Sequence, residues 1–189
     1  NSCFGLIKPS PAILSNPPRA RKQTRRGKHS PKDSEFLMAL KVGALLPALD
    51  GIEEWIGGRV TNVELEGYPV LFDFWALSCP FCLQNLPRLH EWRDQYADHG
   101  LKIVAVHLPM RDVDRQSENV RSALQKYGIN EPCALDHEGI LAQRFGTGGI
   151  WPYYFLFDAM GTMRSRAAGY SGLQILEKAL QRSLALSTA

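Results

Sequence analysis

The amino-acid sequence predicts an α/β domain in which a central mixed sheet is flanked by helices on both faces. Three observations predict this class: short apolar runs typical of buried strands alternate with helical apolar stripes, the last two strands form a hairpin, and a leucine-rich helix closes the chain. A chain of 189 residues, 44% of them hydrophobic, can bury one such core. Because no run of about 18 uncharged apolar residues occurs, the sequence predicts no transmembrane helix.

The first strand–helix pair lies near the middle of the chain. Residues 70–75 are almost uniformly apolar and follow a Gly-Tyr-Pro turn, which indicates a buried central strand. A helix is predicted from Pro80 to about His99, because leucine and aromatic residues recur on one of its faces. Pro87 lies inside this helix and is expected to kink it, and Gly100 is a suitable stop.

The later elements continue the alternation. Residues 103–108 form a second predicted buried strand, and residues 116–127 a helix closed by Gly128. A short strand at 133–135 precedes a short helix at 140–145. The remaining elements are a hairpin made of strands 153–157 and 162–168, and a closing helix marked by Leu173, Leu176, Leu180 and Leu184.

Residues 1–37 differ in composition from the rest of the chain. The full sequence has 22 Lys/Arg and 19 Asp/Glu, of which eight basic and two acidic residues lie in this segment, leaving 14 basic and 17 acidic residues in the body. We therefore expect a disordered basic tail, dispensable or not native, followed by one domain over residues 38–189 that starts naturally at Met38. The mildly acidic body offers no electrostatic basis for binding nucleic acid.

The chemistry concentrates at Cys79 and Cys82, which follow the first buried strand and open the next helix. A sulfur at a helix N-terminus lies beside unpaired N–H groups and the positive end of the helix dipole, so the pKa of the Cys79 thiol is expected below its ordinary value of about 8.5. The two-residue spacing lets Cys82 close a disulfide within one turn. Attack by Cys79 on a substrate disulfide, with resolution by Cys82, is the predicted chemistry.

Other interpretations of the cysteines are less favoured. A zinc half-site at Cys79 and Cys82 would need two further ligands, and the sequence contains no second Cys-x-x-Cys and no His-x₃₋₅-His. The two could also be unrelated core cysteines. Cys133 lies on a predicted strand and is expected to be a small buried hydrophobe, with a resolving role as the alternative. No cofactor or metal is expected.

Residues 72–82, Phe-Asp-Phe-Trp-Ala-Leu-Ser-Cys-Pro-Phe-Cys, are similar to the active-site segment of the thioredoxin superfamily. Residues 91–96, 104–109 and 151–158 extend the resemblance over about residues 40–185. The sequence most resembles the TlpA/ResA-type thiol–disulfide oxidoreductases, especially their small, soluble bacterial cytosolic members. The resemblance implies a thioredoxin-like fold and a redox-active CxxC pair that exchanges disulfides with protein substrates.

The resemblance also implies roles for residues around the cysteines. Pro152 would be the family's cis-proline, and the backbone of the preceding Trp151 would receive an extended substrate. Asp73 would lie beneath the motif, where burial raises its pKa and it could accept the proton of Cys82. The residues expected to complete the substrate surroundings are Pro80, Phe81 and Trp75.

The neighbours of Cys79 bear on the direction of exchange. Pro80 and Phe81 carry no cationic group, and Ser78 could donate one hydrogen bond, so we expect only a modest lowering of the Cys79 pKa. A reductase with a potential near about −270 mV is therefore predicted. The expected partners are disulfide-containing protein substrates and an upstream thioredoxin-type reductant, with no nucleic acid and no membrane, for a monomer in the cytoplasm.

Two other functions and one other location remain open. A peroxiredoxin-type peroxidase would show Pro-x-x-x-Thr-x-x-Cys, but Phe72 and Ala76 occupy the Pro and Thr positions. A non-catalytic metal-binding carrier on a thioredoxin fold would bind metal tightly and exchange disulfides poorly. Export is the alternative location: Arg25-Arg26 precedes an apolar stretch as in a twin-arginine signal, although Lys41 interrupts that stretch.

Overall fold

The computed structural model describes residues 40–187, so the expected tail at 1–37 lies outside the described residues. It confirms the predicted mixed sheet with helices on both faces. The six strands, in the spatial order β1-β4-β3-β2-β5-β6, are β1 (Trp55–Ile56), β2 (Val70–Trp75), β3 (Lys102–His107), β4 (Cys133–Leu135), β5 (Tyr153–Phe157) and β6 (Met163–Ala168). The helices are α1 (Asn62–Leu65), α2 (Pro80–Tyr96), α3 (Ser117–Tyr127), α4 (Ile140–Phe145) and α5 (Gly172–Ser187), with 3₁₀ turns at Ala97–His99 and Asp112–Arg115.

β2 is the central strand, and it is paired along both sides. It runs parallel to β3, with Trp75 opposite His107, and antiparallel to β5, with Phe74 opposite Tyr153. β4 continues the parallel set beside β3, whereas β1 and β6 add antiparallel edges. All six residues of β2 are buried, which explains why its sequence is a continuous apolar run rather than an alternation.

Two apolar layers hold the helices against the sheet. Leu71 and Trp75 of β2 belong to the layer beneath α2, α3 and α5. The opposite face packs α1, α4 and the segment around Leu49 and Ile52. Five rings fill much of this second layer, with neighbouring centroids 5.0–6.0 Å apart, and such pairs contribute about 0.5–1.5 kcal/mol each beyond their burial. They are Phe72, Phe74, Phe145, Phe155 and Phe157.

The element boundaries differ from those predicted by a few residues. α2 ends at Tyr96, and the chain continues as a 3₁₀ turn that Gly100 closes with φ of 78°. β3 begins at Lys102 and α3 at Ser117, each one residue from the predicted start. β1, α1 and the 3₁₀ turns are not marked by any periodic pattern, because two to four residues are too few to show one.

Gly172, the first residue of α5, allows a close approach between this helix and the sheet. A Cβ at this position would lie 2.7 Å from Cδ2 and 2.9 Å from Cε2 of Tyr154, whose side chain is fully buried in β5. The Tyr154 hydroxyl accepts a hydrogen bond from Nδ2 of Asn85 at 2.9 Å. The ring therefore cannot retreat without disturbing that contact.

We predict that Gly172→Ala lowers the free energy of unfolding by about 1–3 kcal/mol, the usual effect of overpacking a core. Gln174→Ala, at an exposed position of the same helix, is the control and should change stability by less than about 0.5 kcal/mol. Chemical denaturation measures both variants. Equal stability of the two would show that Tyr154 repacks without cost.

Candidate active site

Cys79 and Cys82 form a disulfide at the start of α2. Their sulfurs are 2.15 Å apart and their Cα atoms 5.3 Å apart. Cys79 is the N-cap residue, with extended backbone, and its Sγ accepts a hydrogen bond from the N–H of Cys82 at 3.1 Å. Pro80 occupies the first helical position, where its missing N–H would have no intrahelical partner. The local sequence therefore places one sulfur of the pair at the helix N-terminus.

This placement determines which sulfur is the better nucleophile. In the disulfide form the Cys82 N–H donates to the Cys79 sulfur at the positive end of α2, and such an arrangement favours negative charge on that sulfur. Cys79 is 3% exposed and Cys82 2% exposed, so neither offers a large reactive surface. Access to either sulfur is therefore limited by the residues around it.

A loop with a cis peptide bond lies at the same end of the sheet. The bond joins Trp151 and Pro152, just before β5. Because Tyr153 pairs with Phe74, Pro152 lies level with the carboxyl end of β2, from which the chain continues to the CxxC motif. The strand pairing alone thus brings the two segments to one end of the sheet.

Two hydrogen bonds fix this loop to the ends of the central strands. The indole N–H of Trp151 donates to the carbonyl oxygen of Leu108 at 3.0 Å. The N–H of Leu108 in turn donates to the carbonyl oxygen of Trp75 at 2.9 Å. The Trp151 side chain therefore anchors the loop to the carboxyl ends of β2 and β3.

Exposed aromatic side chains adjoin the motif. Pro80 is exposed, and Phe81 is 53% exposed with its ring tilted against that of Tyr170 at a centroid distance of 5.9 Å. Tyr170 is itself 55% exposed, and its carbonyl oxygen accepts a hydrogen bond from Nδ2 of Asn85 at 3.0 Å. Tyr170 was not anticipated from the sequence, because 89 residues of chain separate it from Phe81.

Trp75 requires a correction. We expected it to contribute to substrate binding, but its side chain has no exposed surface, and its ring lies edge-on to His107 at 5.0 Å. A tryptophan at the buried end of a central strand packs against the core on all sides. Trp75 therefore supports the active-site segment from within and has no exposed surface for a substrate to reach.

Asp73 lies in the middle of β2, on the face covered by α2. It lines a small cavity whose other walls include Leu86, His90 and Glu131. Burial, and secondarily the charge of Glu131, raise the pKa of Asp73 to about 8. Its Oδ1 has no hydrogen-bond partner among residues 40–187. Leu86 and His90 belong to α2, so Asp73 lies under this helix.

A cluster of buried polar side chains lies beside Cys79, and no pattern in the sequence predicted it. Ser78 Oγ donates a hydrogen bond of 2.6 Å to Oδ2 of Asp114, which belongs to the 3₁₀ turn after β3 and is fully buried. The same oxygen accepts the N–H groups of Met110 and Arg111 at 2.9 and 3.0 Å. Burial raises the pKa of Asp114, but these three hydrogen bonds, together with a smaller effect of His107, outweigh it and hold that pKa below its ordinary value.

His107, the last residue of β3, completes the cluster. Its Nε2 accepts the N–H of Leu77 at 3.4 Å, and its side chain has no exposed surface. Burial lowers the pKa of His107 to about 4, although the charge of Asp114 acts in the opposite direction. The histidine is therefore neutral at pH 7, whereas Asp114 is ionised.

Cys133 is the one free cysteine in the described part of the chain. It lies on β4 with no exposed surface, and burial raises the pKa of its thiol to about 12. This agrees with its expected place as a small buried hydrophobe. Between residues 40 and 187, no helix is both long and apolar enough to cross a bilayer.

A mixed sheet flanked by helices and a CxxC disulfide at a helix start are the features of a thioredoxin-like thiol–disulfide oxidoreductase. The comparisons with known proteins agree: the chain belongs to the AhpC/TSA family, which it matches over residues 42–166. It is 35% identical over 147 residues to thiol-disulfide oxidoreductase YkuV of Bacillus subtilis, a match covering 77% of this chain and 98% of that protein. It is 26% identical over 126 residues to thiol-disulfide oxidoreductase ResA of Bacillus thuringiensis, covering 67% and 69%.

A solved structure supports the same assignment. A thioredoxin-like protein in its oxidised form, determined in solution, superposes with a TM-score of 0.69 at 34% identity, covering 77% of this chain and 98% of that one. The chain is therefore a TlpA/ResA-like member of the thioredoxin superfamily, and it is an enzyme of the thiol–disulfide oxidoreductase class.

The raised pKa of Asp73 makes the stability of this fold depend on pH. A carboxyl group with a pKa of about 8 when folded and near 4 when unfolded keeps its proton in the native state between these values, while the unfolded chain releases it. This contribution to stability is fully present below about pH 4 and is lost as the pH rises through about 8.

We predict that Asp73→Asn, which removes this titration, gains stability relative to the unmodified protein as the pH rises from 5 to 8. Denaturant titrations at several pH values measure the difference in free energy of unfolding. Asp98→Asn, at an exposed position, is the control and should show a nearly constant difference. A constant difference for Asp73→Asn as well would show that the carboxyl group is not protonated in the folded state.

Proposed function

We propose that this oxidoreductase acts as a reductase of disulfides in protein substrates. The observation that carries the proposal is the Cys79–Cys82 disulfide closed at the N-terminus of α2, with Cys79 as the N-cap. We further propose that the enzyme works as a monomer in the cytoplasm, where thiols are kept reduced and a thioredoxin-type reductant can restore the dithiol.

The proposed reaction transfers two electrons in two exchanges. The Cys79 thiolate attacks one sulfur of the substrate disulfide, which forms a mixed disulfide and releases the other substrate sulfur as a thiolate that takes a proton from solvent. Cys82, after losing its proton, attacks Sγ of Cys79. The Cys79–Cys82 disulfide closes, and the second substrate sulfur leaves as a thiol. A dithiol reductant then reverses the closure and is itself oxidised.

Substrate binding is assigned to the residues around the motif. The backbone of Trp151, beside the cis bond to Pro152, is proposed to hydrogen-bond an extended substrate segment, because the Trp151 side chain is already anchored to Leu108. The exposed surfaces of Pro80 and Phe81 are proposed to pack against the same segment. A close fit is needed because Cys79 itself is almost buried.

The roles of the two cysteines are tested by trapping. Cys79→Ser should abolish reduction of a protein disulfide such as insulin, because no mixed disulfide can form. Cys82→Ser should accumulate a mixed disulfide, visible by mass spectrometry, because the resolving thiol is missing. Faster alkylation of Cys82 than of Cys79 in the reduced protein at neutral pH would contradict the assignment. Rapid consumption of peroxide with no exchange of protein disulfides would instead favour the peroxidase alternative.

We propose that Asp73 accepts the proton of Cys82 in the resolving step, through water that enters the cavity under α2. A carboxyl group with a pKa of about 8 is only partly ionised at neutral pH, so the rate of resolution should rise with pH between about 6 and 9. We predict that Asp73→Asn resolves more slowly and loses this rise. Stopped-flow single-turnover measurements test it, with Asp98→Asn as control. An unchanged pH–rate profile would reduce Asp73 to a structural role.

The direction of exchange is tested by the reduction potential. Since Pro80 and Phe81 bring no cation to Cys79, we predict a potential near the thioredoxin value of about −270 mV. Equilibration with glutathione and thioredoxin standards measures it. A potential more oxidising than about −180 mV would exclude the reductase and favour an exported oxidase or isomerase.

A further inference from the structure

The hydrogen bond between Ser78 and Asp114 lies directly beside the nucleophile, yet no step of the proposed reaction uses it. Ser78 immediately precedes Cys79, and its hydroxyl was the one neighbouring side-chain donor that could have stabilised a thiolate there. In the structure this hydroxyl donates instead to Oδ2 of Asp114 at 2.6 Å. The donor is therefore directed away from the nucleophilic sulfur.

Asp114 also brings a negative charge close to Cys79. Consecutive Cα atoms are about 3.8 Å apart, so a carboxylate bonded to the Ser78 side chain lies within about 10 Å of Cys79. Asp114 has no exposed surface, and the field of a buried charge is screened much less by salt than that of a surface charge. Such a charge disfavours a second negative charge on the Cys79 sulfur.

No cation offsets this charge within the described part of the chain. None of the ion pairs among residues 40–187 includes Asp114. His107 is close enough to interact with it electrostatically but is neutral at pH 7. Arg111 contributes its backbone N–H, while the residue as a whole is exposed. Hydrogen bonds therefore keep Asp114 ionised without cancelling its charge.

We propose that Asp114 is a positioning residue of the active site: it engages the Ser78 hydroxyl in a hydrogen bond, places a buried negative charge within about 10 Å of Cys79, and so makes the Cys79–Cys82 pair a stronger reductant. The inference rests on the proposed function and deepens it. A thiolate that is stabilised less makes the dithiol state less stable relative to the disulfide, and a less stable dithiol gives up its electrons more readily.

The equilibrium that reports this effect is the reaction of the protein disulfide with two molecules of glutathione. It yields the protein dithiol and one molecule of glutathione disulfide, so two electrons and two protons are accounted for. The equilibrium constant is measured without any protein substrate: the mixture of protein and glutathione is quenched, and the free thiols of the protein are counted. The pH midpoint of Cys79 alkylation provides a second readout that a purely structural residue would not move.

Three variants separate the charge from the hydroxyl. Asp114→Asn keeps an oxygen that can accept the bonds from Ser78, Met110 and Arg111 but removes the charge. It should shift the equilibrium toward the dithiol by about three- to tenfold, up to about 30 mV, and lower the alkylation midpoint. Asp114→Ala also frees the Ser78 hydroxyl, so it should shift both the equilibrium and the alkylation midpoint further in the same direction. The double variant Ser78→Ala/Asp114→Ala should lose the extra shift by which Asp114→Ala exceeds Asp114→Asn, because the freed hydroxyl is then absent.

Asp112→Asn is the matched control, because it removes the same charge from an exposed position of the same 3₁₀ turn. It should change neither readout by more than twofold. A folded Asp114→Asn protein that stays within twofold of the unmodified enzyme in both readouts, or shifts in the opposite direction, would overturn the inference. Failure of the proposed function is seen separately, as a lack of turnover of protein disulfides by the unmodified enzyme.

Discussion

Backbone pairing along both sides of β2 determines the position of every group at the active end of the molecule. Parallel pairing with β3 sets Trp75 opposite His107, so both strands end at the same level. Antiparallel pairing with β5 makes that strand begin where β2 ends, which places Pro152 there. α2 starts only five residues after β2, and its positive end lies at the same place. The pairing of the strands thus sets the position of the nucleophile through backbone contacts, independently of its side-chain contacts.

The two buried carboxyl groups of Asp73 and Asp114 have pKa values shifted in opposite directions. For Asp73, burial and the charge of Glu131 act in the same direction, so its proton is retained. Asp114 is also buried, but three hydrogen bonds to one oxygen favour the charged form. One group can therefore exchange a proton near neutral pH, while the other is a fixed charge. The number of acidic residues near the CxxC motif in the sequence would not reveal this difference in protonation.

Local patterns explain why much of this architecture could be predicted from the sequence. The apolar run at 70–75, the leucine spacing of α2 and the CxxC motif each depend on neighbouring residues, and they indicate a strand, a helix and a redox pair directly. The Ser78–Asp114 bond depends instead on how β3 returns beside β2, across 36 residues.

The deep burial of Cys133 has a consequence for an enzyme that makes and breaks disulfides. A third thiol within reach of Cys79 or Cys82 could attack their disulfide and scramble the pairing. Burial raises the pKa of the Cys133 thiol to about 12, so the thiol stays protonated at pH 7, and its position within β4 gives it no surface from which to react. Among residues 40–187, burial in the sheet thus keeps Cys133 from competing with the redox pair, and this cysteine serves as an ordinary packing residue.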